Sequence, residues 1–177
     1  FAGEEADLLL TDPPYGVEYV GKTADALTIK NDRLGLEGTR ALVRDLLRAA
    51  PLKKGGPFYI CSPAGDMELA FRLALVDVKF PLRQTIVWVK NHFVMGRQDY
   101  HWRHESILYG DNGANGAPDA DSAEEYPSRH ETLLYGWRSG AAHYFVGDRG
   151  QDTVWEFDRP ARSEDHPTMK PVLLLQK

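Results

Sequence analysis

Cysteine is almost missing from this chain: Cys61 is the only one in 177 residues. An internal disulfide and a thiolate metal cluster are therefore both excluded, as befits a reducing compartment. Long apolar runs are missing as well. No stretch approaches the roughly 20 residues that a membrane span needs, and the opening Phe1-Ala2-Gly3-Glu4-Glu5 has neither the basic nor the apolar part of a signal peptide. A cytoplasmic location without a membrane partner is the expectation. Positive charge is not in excess: the formal net charge of −5 argues against a surface that grips phosphate everywhere, because such contacts need Lys and Arg. No pair of the six histidines has metal-ligand spacing together with a carboxylate, so no metal is expected.

What is present describes an ordinary globular protein, with 42% apolar and 27% charged residues. Its length suits one domain, residues 1–177. Charge is unevenly spread. From Lys79 to His104 the chain carries Lys79, Arg83, Lys90, Arg97 and Arg103 against Asp99 alone. That segment is a candidate DNA-facing surface, and Lys90, Arg97 and Arg103 are its candidate contacts; a solvated basic face is the competing reading.

The elements can be read in order. Ala6-Asp7-Leu8-Leu9-Leu10 is short, apolar and ended by Asp-Pro-Pro, which suits a strand buried on both faces. Leu42, Val43, Leu46, Leu47 and Ala50 recur at helical spacing before an exit at Lys53-Lys54-Gly55-Gly56. Phe58–Cys61 reads as a second strand and Met67–Val76 as a second helix. The β-branched and aromatic run Thr85–Val89 reads as a third strand. Strand, helix, strand, helix implies parallel pairing. Shorter extended pieces near Ser106–Tyr109, Thr132–Tyr135, Ala142–Val146 and Thr153–Phe157 suggest an antiparallel or irregular outer portion. The fold class is α/β, an open sheet.

A duplication interrupts this order. Arg103-His104-Glu105-Ser106-Ile107-Leu108-Tyr109-Gly110 returns as Arg129-His130-Glu131-Thr132-Leu133-Leu134-Tyr135-Gly136. Between the copies, Asp111 to Pro127 is poor in large apolar residues and reads as a mobile surface loop. Two copies are too few for a solenoid. Both suit the same strand position, so one of them is expected to fill it.

Thr11-Asp12-Pro13-Pro14-Tyr15 ends the first strand, and ligands of open α/β sheets bind beyond the carboxyl ends of strands. An exocyclic amine of a nucleic-acid base is a poor nucleophile because its lone pair is delocalised into the ring. Acceptors aimed at the amine hydrogens localise that pair. The Asp12 carboxylate and the carbonyl of Pro13, set in a backbone stiffened by Pro14, are such acceptors. The Tyr15 ring is suited to stack on a base taken out of the duplex. A bare Asp-Pro-Pro is also an ordinary strand-terminating turn.

The chain resembles the adenine and cytosine amino-methyltransferases in which the catalytic motif precedes the cofactor motif, the permuted "beta" order. The likeness covers nearly the whole length and is carried by Asp7–Tyr15, Ile29–Asp32, Gly55–Ile60, Ile86–Asn91, Gly96–Tyr100, Trp137–Phe145, Thr153–Glu156 and His166–Pro171. It implies a Rossmann-like sheet of the S-adenosylmethionine-dependent methyltransferase type, present in part because the cofactor-motif strands, with their Phe-x-Gly-x-Gly turn, are not in this sequence. It implies Asp12, Pro13, Pro14 and Tyr15 as catalytic residues, and Asp12, Thr168 and Lys170 as contacts of the cofactor S-adenosylmethionine. Asp in the first motif position favours adenine as the target and Ser favours cytosine. Cys61 follows Ile60 and not proline, which disfavours attack on a cytosine ring carbon. Expected partners are double-stranded DNA, a second copy of the chain and a partner endonuclease of a restriction-modification pair. Cytosine amino-methylation is one alternative; a non-catalytic DNA-binding fragment is another. Relative to the family, residues 111–136 look inserted, since joining Gly110 to Trp137 restores its spacing. Asn31 and Asp32 are read as supports of the site loop or as a cap, and Trp88, Trp102, Trp137 and Trp155 as core or as stacking residues.

Overall fold

The computed structural model describes residues 3–16, 34–94, 98–113, 129–135, 150–158 and 171–176. Its elements run β1 (Leu9–Thr11), α1 (Gly35–Ala49), β2 (Pro57–Ser62), α2 (Glu68–Val78), β3 (Leu82–Val94), β4 (Trp102–Asp111) and α3 (Val172–Leu175). The four strands form one sheet in the order β1-β2-β4-β3. β1 and β2 are parallel, whereas β4 runs antiparallel to both β2 and β3. It follows that β1, β2 and β3 all point the same way, and their carboxyl ends share one edge with the start of β4.

Alternation decides which face of the sheet is covered. Phe58, Ile60 and Ser62 on β2 are buried while the residues between them are only partly so. Phe58 and Ile60 join Val43 and Leu47 of α1, Ala70, Phe71, Ala74 and Leu75 of α2, and Leu108 of β4 in one core. Both helices thus pack on a single face. Arg40 of α1 ties them together through a two-pronged pair with Asp77, at 2.7 and 2.8 Å.

Several boundaries depart from the sequence reading. The first helix begins earlier, at Gly35, because Thr39 is fully buried on its inner face and extends the stripe of Val43 and Leu47. It also ends before the Lys-Gly exit: Ala50 is extended (ψ 123°), as expected of a residue preceding proline, here Pro51. The second helix stops at Lys79, which adopts a left-handed conformation (φ 61°) and donates to the Leu75 and Val76 carbonyls. β1 is not buried on both faces. It is an edge strand, Leu10 is 69% exposed and Leu8 49%, and only Leu9 packs toward the core.

The expected parallel order holds for β1 and β2, but the antiparallel strand is internal rather than outer. β4 separates β2 from β3 because its Ser106 and Leu108–Gly110 are buried. β3 carries Arg83, Gln84, Lys90, Asn91 and His92 and suits an edge. Of the duplicated segments, the first occupies the sheet. Residues 129–135 of the second form no strand, and Leu133 and Leu134 are 60% and 92% exposed. The 153–157 piece also forms no strand. It is fixed to the start of β4 by a bridge between His101 and Asp152 and by backbone bonds of 2.9 and 3.0 Å. The 142–146 piece lies outside the described residues.

The start of the inferred insertion belongs to the sheet. Asp111 accepts a 2.6 Å bond from Arg83 of β3, and Asn112 donates to the Leu52 carbonyl at 2.7 Å. Residues 114–128 and 136 lie outside the described residues. No helix among the described residues is long and apolar enough to cross a membrane.

Candidate active site

The motif Asp12-Pro13-Pro14-Tyr15 leaves the carboxyl end of β1, at the edge shared by the ends of β2 and β3. Pro13 is buried, Pro14 and Tyr15 are half-buried and Asp12 is exposed. Gly16 follows with φ +74°, and a Cβ there would stand 2.2 Å from Thr39 Oγ1 and 3.0 Å from Met67 Cε. Only glycine permits both that backbone conformation and that approach. The backbone at Gly16 therefore lies directly against α1 immediately after Tyr15.

The Tyr15 ring meets the edge of Phe71 on α2, with centroids 6.1 Å apart and planes at 80°. Its hydroxyl donates to Glu105 Oε2 on β4 at 3.4 Å, and the Asp12 carboxylate lies near enough to act on it as well. Burial, followed by these two acids, pushes the phenol well above its ordinary pKa, so Tyr15 is neutral at any physiological pH. Cys61, at the end of β2, is also pushed up, first by burial and then by the charges of Asp12 and Glu105. Its thiolate is thereby disfavoured, and with it a nucleophilic role.

Lys90 of β3 forms an ion pair with Glu105 and lies 5.5 Å from the centroid of the Trp88 ring. Arg103 bonds to the Val154 carbonyl and pairs with Asp152 at 3.1 Å and Glu156 at 3.4 Å. Arg83 is engaged by Asp111. Arg83, Lys90 and Arg103 of the basic segment are thus partnered by acids that lie beyond it in the chain. His104 Nδ1 is 2.8 Å from Thr153 Oγ1.

The structure brings Asp12, Pro13, Pro14, Tyr15 and Lys90 to one edge of the sheet. Arg103 lies on β4 beside the 150–158 segment, while Arg97, Thr168 and Lys170, like Asn31, Asp32 and Trp137, fall outside the described residues. Glu105 and Gly16 are the site residues that sequence reasoning missed. The glycine adjoins the motif and its signal was available; strand alternation puts Glu105 on the same face as Ile107 and Tyr109 near the start of β4, but only pairing with β3 shows that it reaches the site. Among the described residues no cluster of three or more His, Cys, Asp or Glu side chains is arranged to hold a metal. A shallow cleft of about 420 Å³, lined in part by Arg48, Asp77, Phe80 and Asn112, lies at the opposite edge of the sheet, since Asn112 follows the far end of β4.

The fold and site define the class as an open α/β sheet with its candidate site, an acid, two prolines and an aromatic, at the carboxyl end of the first strand. The family can be stated more closely. Residues 6–177 match the N6/N4 DNA methylase family, described as DNA methylase, and the chain belongs to that family, whose members take their methyl group from S-adenosylmethionine. Among solved structures it is similar to M1.HpyAVI, determined as a complex with S-adenosylmethionine, at 15% identity and a TM-score of 0.40. The alignment covers 99% of this chain and 64% of that one. No curated protein matches it in sequence.

Proposed function

We propose that the chain forms the target-base half of a DNA adenine methyltransferase, which methylates the exocyclic amine of an adenine flipped out of the duplex. The observation that carries this is the junction of Asp12 with Tyr15 at the end of β1: an exposed carboxylate close enough to a half-buried phenol to raise its pKa, on a rigid Pro-Pro turn. In this reading the amine donates one hydrogen to the Asp12 carboxylate and one to the Pro13 carbonyl. Both bonds draw the nitrogen lone pair out of conjugation. Tyr15 stacks on the base and, being neutral, brings no charge to the ring. Holding the amine in line for transfer supplies most of the acceleration, since well-oriented reactants gain about 7–11 kcal/mol over free ones.

The residues at this edge fit S-adenosylmethionine. Its sulfonium is a cation, and Asp12 and Glu105 outnumber Lys90. Asp12 would hold it, with Thr168 and Lys170 as the sequence-derived candidates beside it. When bound, the cofactor supplies an electrophilic methyl group. The amine nitrogen gains that methyl and gives up a proton next to Asp12, and no covalent enzyme intermediate is needed, in keeping with the disfavoured Cys61 thiolate. Arg97 and Arg103 are proposed to meet the DNA backbone, with double-stranded DNA as the partner. An active-site Asp, where cytosine enzymes of the family favour Ser, supports adenine.

Digesting to nucleosides DNA treated with S-adenosylmethionine and this half joined to its cofactor-binding half tests this directly. The expected product is N6-methyladenine. N4-methylcytosine without methyladenine would overturn the choice of base, and no methylated nucleoside would overturn the activity.

A further inference from the structure

The sheet carries a second carboxylate to the edge where Asp12 and Tyr15 meet, and that acid has a cation of its own. Glu105 on β4 stands opposite Trp88 on β3, so Trp88 and, two positions on, Lys90 project from the same face as Glu105. Lys90 Nζ is ion-paired to one Glu105 oxygen and lies 5.5 Å from the Trp88 ring centroid. The other Glu105 oxygen faces the Tyr15 hydroxyl at 3.4 Å. Lys90 and Glu105 are about equally sheltered, with side chains 25% and 24% exposed. A lysine held this way has its charge spent within the protein.

From this geometry we infer that Lys90 and Glu105 are a positioning pair that fixes the Tyr15 hydroxyl, and through it the ring face offered to the base, and that Lys90 is not a DNA phosphate contact. The inference rests on the methyltransferase reading for the role of the ring. Phe71 braces one edge of Tyr15 but leaves the phenol end unfixed. Asp12 acts on the same hydroxyl electrostatically and is needed for the amine. When a base takes the Asp12 oxygen, Glu105 remains as an acceptor for the phenol. Without Lys90, Glu105 would add an uncompensated negative charge beside Asp12, and the two carboxylates would repel one another. Lys90 neutralises Glu105 and leaves the negative charge at this edge on Asp12.

The test compares Lys90→Met, Glu105→Gln and the double variant, with Lys90→Arg as the conservative control, in the active protein. Positioning predicts kcat lower by roughly tenfold to a hundredfold in each single variant, the loss that follows a misplaced orienting group. The double variant should be no worse than either single, because the pair acts as a unit. Lys90→Arg should recover most of kcat. DNA affinity should keep its salt dependence. A phosphate contact predicts the reverse: Lys90→Met would flatten the slope of log Kd against log salt by about one and leave kcat at saturating DNA intact. That result would overturn the assignment.

A second measurement does not depend on turnover. The Tyr15 ¹³Cζ resonance, assigned with Tyr15→Phe, should move in both Lys90→Met and Glu105→Gln; an unmoved resonance would overturn the pair even if the protein transferred no methyl group. Loss of methyl transfer in the unaltered protein would instead remove the methyltransferase reading. If one variant does not fold, the other decides.

Discussion

At the scale of single residues, the motif was legible because its parts adjoin in sequence. Asp12, Pro13 and Tyr15 are set by one turn, and the chemistry of each type limits what it can do there. Glu105 was not legible in the same way. It reaches Tyr15 across 90 positions of chain, and only strand pairing shows that its side chain arrives at the same edge. Lys90 illustrates the converse, since charge along the chain suggested a basic surface and could not show that the fold supplies Glu105 as its partner. His104 carries a pH consequence. Burial holds its imidazole below the ordinary value, against smaller opposing effects of nearby acids. The folded state therefore prefers neutral His104, and the unfolded chain takes up the proton first as pH falls. Its contribution to stability is complete above the unfolded pKa of about 6.5 and is lost as pH drops from there through the folded value. His104→Gln should flatten the fall of the urea midpoint between about pH 7 and pH 5 relative to the unaltered protein; an equally steep fall would contradict this.

At the scale of elements, apolar periodicity located β2 and α2 to within two residues at each end but cut α1, β3 and β4 short. Each end was decided by something outside the periodic stripe: Pro51 behind α1, the left-handed Lys79 behind α2, and pairing with β4 along β3. Strand order was hidden for another reason. Consecutive strands with intervening helices imply neighbours, yet β4 intervenes between β2 and β3 because it is the strand that tolerates burial. The duplication could not be resolved from sequence, as both copies fit one slot. Gly110 shows how tight that slot is: a Cβ there would lie 2.2 Å from the Pro81 carbonyl oxygen and 2.4 Å from Phe58 Cζ. Gly110→Ala is expected to destabilise the fold by about 1–3 kcal/mol, the usual result of overpacking, read as a shifted denaturation midpoint with unchanged slope. An unshifted midpoint would show that β4 is not held as described.

At the scale of the whole molecule, the fold explains why the chemistry gathers at one edge. Among the described residues three strands run the same way, so three carboxyl ends converge, and the antiparallel β4 brings Glu105 to them from its start. Both helices cover the other face of the sheet, α2 supplying Phe71 as the brace for Tyr15 and α1 supplying Thr39 beneath Gly16. That arrangement was foreseeable as a class from the alternation of strands and helices, whereas the ion pairs of Lys90 with Glu105 and of Arg103 with Asp152 and Glu156 are revealed only by the tertiary fold. The central claim is that Asp12 and Tyr15 grip and present the target base. It is tested most directly by single-turnover transfer of a labelled methyl group to DNA by the unaltered protein, Asp12→Asn and Tyr15→Ala, each first shown to melt at the same temperature. The account predicts rates lower by about 10²-fold or more in both variants; folded variants that transfer within about twofold of the unaltered rate would contradict it.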